Sequence, residues 1–186
     1  AVLNSDKNDE YADKARYKRA WSAFKQGEYS AALEDFFILV ERHWPDASKT
    51  DAQIEQQLST RGNQALLDDT LRVIALTFAY MNGADSLQQY FSRVGPKPYE
   101  SQVYRNLGAY FEYKRSYTDT AETFNAMVER FPQSEEAPLL QSRVVAAYTQ
   151  GGFPSKAWPA REHFIERFGV HSAAWQQADP NQRDRI

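Results

Sequence analysis

The stretch that most constrains the fold is SQVYRNLGAYFEYKRSYTDTAETFNAMVERFPQ, Ser101 to Gln133. In its first half Tyr104, Leu107, Gly108 and Phe111 recur at i, i+3, i+4 and i+7. That spacing places them on one face of a helix. In the second half Thr120, Phe124, Met127 and Phe131 form a similar stripe. Pro132 ends it, because a proline disfavours helical geometry in the residue before it. Gly108 leaves room where the two helices press together. Neither helix is stable alone, since short isolated helices are marginal in water. A unit this small has to bury its apolar faces against neighbours, so further copies are expected along the chain.

Three other regions carry the pattern. Residues 1–9 are polar and fray, and Asp9 is placed to cap a helix from Glu10. Tyr17, Trp21 and Phe24 supply the aromatic mass of that helix, with Arg19 and Ala20 where Leu107 and Gly108 stand in the clearest pair. Lys25–Tyr29 forms a turn in which Gly27 suits positive φ. Ala32, Phe36 and Leu39 then line the second helix. The next pair has Leu71, Ile74, Ala75 and Phe78, a turn at Asn82 and Gly83, then Leu87, Phe91 and Val94, with Gly95 and Pro96 as the stop. In the last unit Leu140, Val144 and Ala147 or Tyr148 give one stripe, ended by Gly151 and Gly152. Pro154 opens the following helix and Pro159 kinks or shortens it. Trp158, Phe164, Ile165 and Phe168 supply its apolar side, and Gly169 stops it. His171–Ala178 starts one more helix, and the end of the chain reads as disordered.

One region breaks the period. Phe36 and Phe91 are 55 residues apart, whereas Phe91 and Phe124 are 33 apart, so about 22 residues are inserted. The insert, 46–66, reads as a long loop with one short helix over Asp51–Leu58. It is either a solvated connection or a contact element.

Little in the chain points to chemistry. There is no cysteine, which removes disulfides, thiolate metal sites and cysteine nucleophiles. His43, His163 and His171 show no metal-ligand spacing, and no phosphate-cradling or nucleophile-elbow motif occurs. Asp68 and Asp69 are adjacent carboxylates, and capping with macrodipole complementarity explains them better than acid–base catalysis. The formal net charge of −3 argues against general nucleic-acid binding, which needs a basic footprint. No apolar run approaches the roughly 18–20 residues of a membrane span. No enzyme activity and no cofactor are expected. The chain starts at Ala1 and reads as a piece of a longer exported protein.

The Ser101–Gln133 pair resembles the tetratricopeptide repeat, whose pattern runs aromatic, Leu-Gly, aromatic, Tyr, small, aromatic, Ala and Pro over about 34 positions. Tyr104, Leu107, Gly108, Phe111, Tyr117, Thr120, Phe124, Met127 and Pro132 fill those slots. Thr120 and Met127 stand where Ala is usual, which implies looser packing. The resemblance implies an all-α fold, a right-handed α-solenoid of about three and a half repeats in residues 10–169. The repeats fall at 13–45, 68–98, 101–133 and a degenerate 136–169, and a C-terminal extension follows over 170–186.

In that family the first helices of successive repeats line a groove that holds segments of partner proteins. The matching positions here are Lys14, Tyr17, Lys18, Trp21 and Lys25, then Arg72, Leu76 and Tyr80, then Arg105, Asn106, Ala109 and Tyr113, with Tyr148 in the last unit. Their character is cationic and aromatic, which favours an acidic segment or a terminal carboxylate as partner. The bland alternative is inter-repeat packing with solvating lysines. Over residues 11–170 the runs YKRAWSAFKQGEYSAALEDFF, LLDDTLRVIALTFAY, GPKPYESQVYRNLGAYFEYKRSY and QGGFPSKAWPAREHFIERFG are similar to periplasmic tetratricopeptide proteins described as components of TonB-type systems. That likeness implies a protein-binding scaffold in the envelope beside a TonB–ExbB–ExbD-like machine. A superhelical region of a lytic transglycosylase and an assembly lipoprotein of the BamD kind are the alternatives.

Overall fold

A computed structural model describes residues 10–45 and 61–177. Nine helices and no strand occur among the described residues, as the all-α reading requires. They are α1 (Glu10–Lys25), α2 (Tyr29–His43), α3 (Arg61–Tyr80), α4 (Gly83–Val94), α5 (Glu100–Lys114), α6 (Tyr117–Arg130), α7 (Ala137–Gln150), α8 (Pro154–Phe168) and α9 (Ala173–Gln177). The proposed Asp9 cap, the frayed 1–9 segment, the Asp51–Leu58 helix and the disordered end over 179–186 lie outside the described residues.

Three helix–helix turns are built alike. After α1 the amide of Glu28 donates to the Ala23 carbonyl, after α5 that of Ser116 to Phe111, and after α7 that of Phe153 to Tyr148. Each bond spans five residues and closes over a left-handed residue: Gly27 (φ 78°), Arg115 (φ 56°) and Gly152 (φ 73°). This is the Schellman geometry, which satisfies a carbonyl left over at the helix end. The residue whose amide closes the turn then starts the next helix with its carbonyl, since Ala32, Thr120 and Ala157 donate to Glu28, Ser116 and Phe153. Two glycines supply the left-handed conformation without steric cost. Arg115 is the non-glycine residue with positive φ among those described.

The chain divides into two compact units between Met81 and Asn82. In the first, α2 packs against both α1 and α3. Ala32, Leu33, Phe36, Phe37, Leu39 and Val40 of α2 are buried, as are Leu71, Val73, Ile74, Ala75 and Phe78 of α3. Each large apolar side chain removed from water contributes roughly 1.5–3 kcal/mol. Helix α1 is anchored differently. Its fully buried apolar residues are small, Ala12 and Ala20, and charged pairs join it to α2 alongside the Tyr17 and Trp21 rings on Phe36. Arg16 (2.9 Å) and Arg19 (2.5 Å) both bind the buried Asp35 carboxylate of α2. Buried Asp13 receives Arg42 at 2.6 Å and the His43 ring at 2.8 Å.

In the second unit α5 packs on α6, α6 on α7 and α7 on α8, while α4 lies against α5 and α6 and α9 against α8. Gly108 is where it must be. A Cβ there would stand 2.6 Å from Phe124 Cζ, so the ring of α6 lies directly on the backbone of α5. The looser packing expected at Thr120 and Met127 is absent. Both are buried, and Thr120 Oγ1 donates to the Ser116 carbonyl at 2.9 Å, which settles its polar group.

Several sequence expectations are corrected. Residues 61–66, read as part of a loop insert, form the first turns of α3. Asp68 and Asp69 therefore sit two turns inside a helix and cap nothing. Val94, at the last position of α4, is exposed. Pro159 neither shortens nor ends α8, which runs on to Phe168. Trp158 and Ile165 do not form its packed side. They are 62% and 66% exposed, and Ala157, Ala160 and Phe168 face the protein instead. The small alanines allow close approach, and a helix so packed turns its 158/165 stripe outward.

Candidate docking face on the first helices

In the first unit α1 and α3 bring most of the anticipated residues together. Tyr17 lies against Trp21 (6.4 Å between ring centroids) and Phe36 (5.9 Å), both edge-on. Its hydroxyl donates to the Asp69 carboxylate of α3. Asp69 also accepts from Arg72, at 3.0 Å from Nε and 2.5 Å from Nη2. Burial alone lifts the Asp69 carboxyl, but the hydrogen bonds from Tyr17 and Arg72 outweigh it and hold it below the ordinary carboxylate range. The Tyr17 phenol is pushed up, first by burial and then by the bond to Asp69. At the other end of the face Trp21 meets Phe24 edge-on at 5.4 Å, and Phe24 meets Tyr80 at 5.5 Å. Tyr29 completes the shelf at 6.2 Å from Tyr80. Tyr80 is still 59% exposed. Lys14, Lys18 and Lys25 form an exposed stripe along α1. Leu76 is half-buried.

In the second unit α5 and α7 carry the equivalent face. Arg105 binds Glu136 at 2.7 Å and is braced by Gln102 (3.2 Å) and Ser101 (3.3 Å). Asn106 accepts from Gln102 at 2.9 Å. Arg143 of α7 binds Glu112 of α5, 3.0 Å from Nε to Oε1, and lies over the Phe124 ring at 4.3 Å. Both ion pairs join residues 31 apart. Between and beside them Ala109, Tyr113 and Leu139 are open to solvent, Tyr113 at 83%. Tyr148 is half-buried with Lys156 over its ring at 5.5 Å.

The charge of the two faces differs from the sequence expectation. Arg72 and Arg105 are each neutralised by a neighbouring carboxylate, so the cationic character rests on Lys18 and Lys25. The carboxylates that do this, Asp69, Glu136 and Glu112, were not among the anticipated residues. Glu136 and Glu112 carry a periodic signal, the repeated 31-residue separation. Tyr17 and Asp69 are 52 apart across the insert, and no spacing rule reaches that far. No group of three or more metal-ligating side chains occurs among the described residues, and no described helix is long and apolar enough to cross a membrane. Compared with known proteins, the chain matches no family model, no curated protein and no solved structure.

Proposed function

We propose that this chain is a tetratricopeptide-type protein-binding scaffold of the bacterial envelope, working in the periplasm beside a TonB-type system, and that it acts by holding a partner polypeptide rather than by catalysis. The observation that carries the reading is the pair Tyr80 and Tyr113. Each is exposed in the last turns of a first helix, and the two are 33 residues apart, one repeat length. A tyrosine offers a large apolar face with a polar tip at low conformational cost, which suits it to protein interfaces. Tyr80 is also held on the Phe24–Tyr29 shelf, so little ordering remains to be done on binding. The three like-built turns and the Gly108–Phe124 contact support the repeat assignment. The envelope assignment rests on the residue runs quoted above. Lys18 and Lys25, exposed on α1, favour a partner segment with acidic residues.

Photocrosslinking tests this. A photoreactive phenylalanine analogue at position 80 or 113 is expected to give a discrete protein adduct in envelope preparations. The same group at Glu34, exposed on α2, is expected to give none. Lys18→Glu should weaken the adduct at position 80 while leaving the helical circular dichroism unchanged. Arg105 is left intact, because a glutamate there would repel Glu136 and disturb the fold. Equal labelling at 34, or none at 80 and 113, removes the docking reading.

A further inference from the structure

Helix α8 carries apolar side chains on the side that the other second helices bury. The three like-built turns put Glu28, Ser116 and Phe153 in register. Counted from there, Trp158 corresponds to Leu33 of α2 and Ala121 of α6, and Ile165 to Val40 and Val128. The same count aligns Ala157 with Ala32 and Thr120, all three buried, so the inner sides of these helices agree. Leu33, Val40, Ala121 and Val128 are at most 3% exposed. Helices α2 and α6 each pack against the helix before and the helix after, α1 and α3 in one case, α5 and α7 in the other. Helix α8 packs against α7 and the five-residue α9, and these leave Trp158 and Ile165 open. Two large apolar residues exposed two turns apart on one helix face mark a contact surface.

The centre of the stripe identifies what covers it. In α2 the two positions between Leu33 and Val40 on this face are Phe36 and Phe37, both buried. In α8 they are Arg161 and Glu162. Neither has a partner of opposite charge among the described residues. Arg161 lies over the Trp158 ring at 5.1 Å with Nη2 3.3 Å from Thr149 Oγ1, and Glu162 is exposed. A helix covering α8 as α3 covers α2 would bury an unpaired guanidinium and an unpaired carboxylate, which is costly. The exception is a helix that brings one acid and one base in the reverse order. A second α8 does that. Trp158 stands three residues before Arg161, and Ile165 three residues after Glu162. A two-fold axis between positions 161 and 162 therefore sets Trp158 on the partner's Ile165 and Arg161 on the partner's Glu162, each contact made twice. A parallel copy would oppose like charges instead.

We infer that two copies of this chain associate through α8, antiparallel about that axis. A contact one helix wide lies at the small end of protein interfaces, so a dissociation constant on the order of 100 μM is expected. Dilute unfolding experiments then observe the monomer. This surface is independent of the first-helix face.

Sedimentation velocity of the full 186-residue chain over a concentration series tests it. A monomer–dimer equilibrium is expected. Arg161→Glu and Glu162→Arg should each weaken it by about tenfold or more, because each opposes like charges across the axis. Trp158→Ala should weaken it as well. Mixing the two charge variants reads the pairing itself. In the mixed dimer each charge meets its opposite, so the mixture should associate about as tightly as the parent. The inference is overturned by sedimentation as a monomer at every concentration, by single variants that pair as well as the parent, or by a mixture no tighter than its components. A monomer that binds phosphatidylglycerol vesicles through Trp158 would assign the stripe to a lipid surface and overturn it too. Loss of the crosslinks at positions 80 and 113 would leave this result untouched, so the two readings fail separately.

Discussion

The α5–α6 pair and the α7–α8 pair follow the same plan and pack to different standards. In α5–α6 the recurring side chains meet: Tyr104, Leu107, Phe111, Phe124 and Met127 are all buried, and Phe124 lies on Gly108. In α7–α8 the position that the turn bonds align with Tyr104 is Gln141, buried at 1% with its Oε1 unpartnered among the described residues. The large apolar residues Trp158 and Ile165 stand in solvent. Both pairs share the same five-residue turn bond. Turn chemistry alone therefore makes a helix pair, while the quality of its seam depends on which side chains are large and which are small at the contact.

The sharpest way to break the contrast is Phe124→Ala, which empties the centre of the good seam. Loss of about 3–5 kcal/mol is expected, read as a shift of the urea midpoint. Trp158→Ala, the same kind of truncation on the poor pair, is the matched control and stands at the small end. Next comes Gly108→Ala. The new methyl meets a ring that is 0% exposed. Overpacking costs of about 1–3 kcal/mol exceed the helix-propensity gain of about 1 kcal/mol. A net loss is expected in thermal unfolding, and a gain would show that Phe124 moves freely. In the opposite direction, Gln141→Leu replaces the buried, unpartnered amide of α7 with an apolar side chain. A gain of about 1 kcal/mol is expected in the same urea titration, because an unmade buried hydrogen bond is removed. Finally, Trp158→Ala is expected to change stability by less than about 0.5 kcal/mol. A loss comparable to that of Phe124→Ala would mean that the indole packs against something and the two pairs are alike after all.

Much of the local structure was legible beforehand. The first-helix stripe Tyr104–Leu107–Gly108–Phe111, the turn at Gly27 and the stop at Gly151 and Gly152 all stand as read, because each depends on residues within a few positions of one another. The start of α3 was missed. Arg61–Leu66 lacks the apolar spacing that marks a helix, and its first turn is helical as an extension of the strongly patterned segment after it. The outward turn of Trp158 and Ile165 was missed because a helix with apolar residues on more than one side has no preferred face of its own. Of the candidate site, the positions of Tyr80, Tyr113 and the α1 lysines were readable from the period. The ion pairs that cancel Arg72 and Arg105 were not.

The amino-acid order by itself determined where the helices run, where the like-built turns fall and which position between α5 and α6 had to be glycine, since dihedral preference and 3.6-residue periodicity act over short stretches of chain. Only the tertiary structure decided that Glu100 is buried under Arg130, that Tyr17 reaches Asp69, and which face of α8 is left to solvent. Those outcomes join residues 30 and 52 positions apart, or choose between two apolar faces of one helix. They are fixed by what a neighbouring helix presents at the point of contact, and local preference carries no information about that.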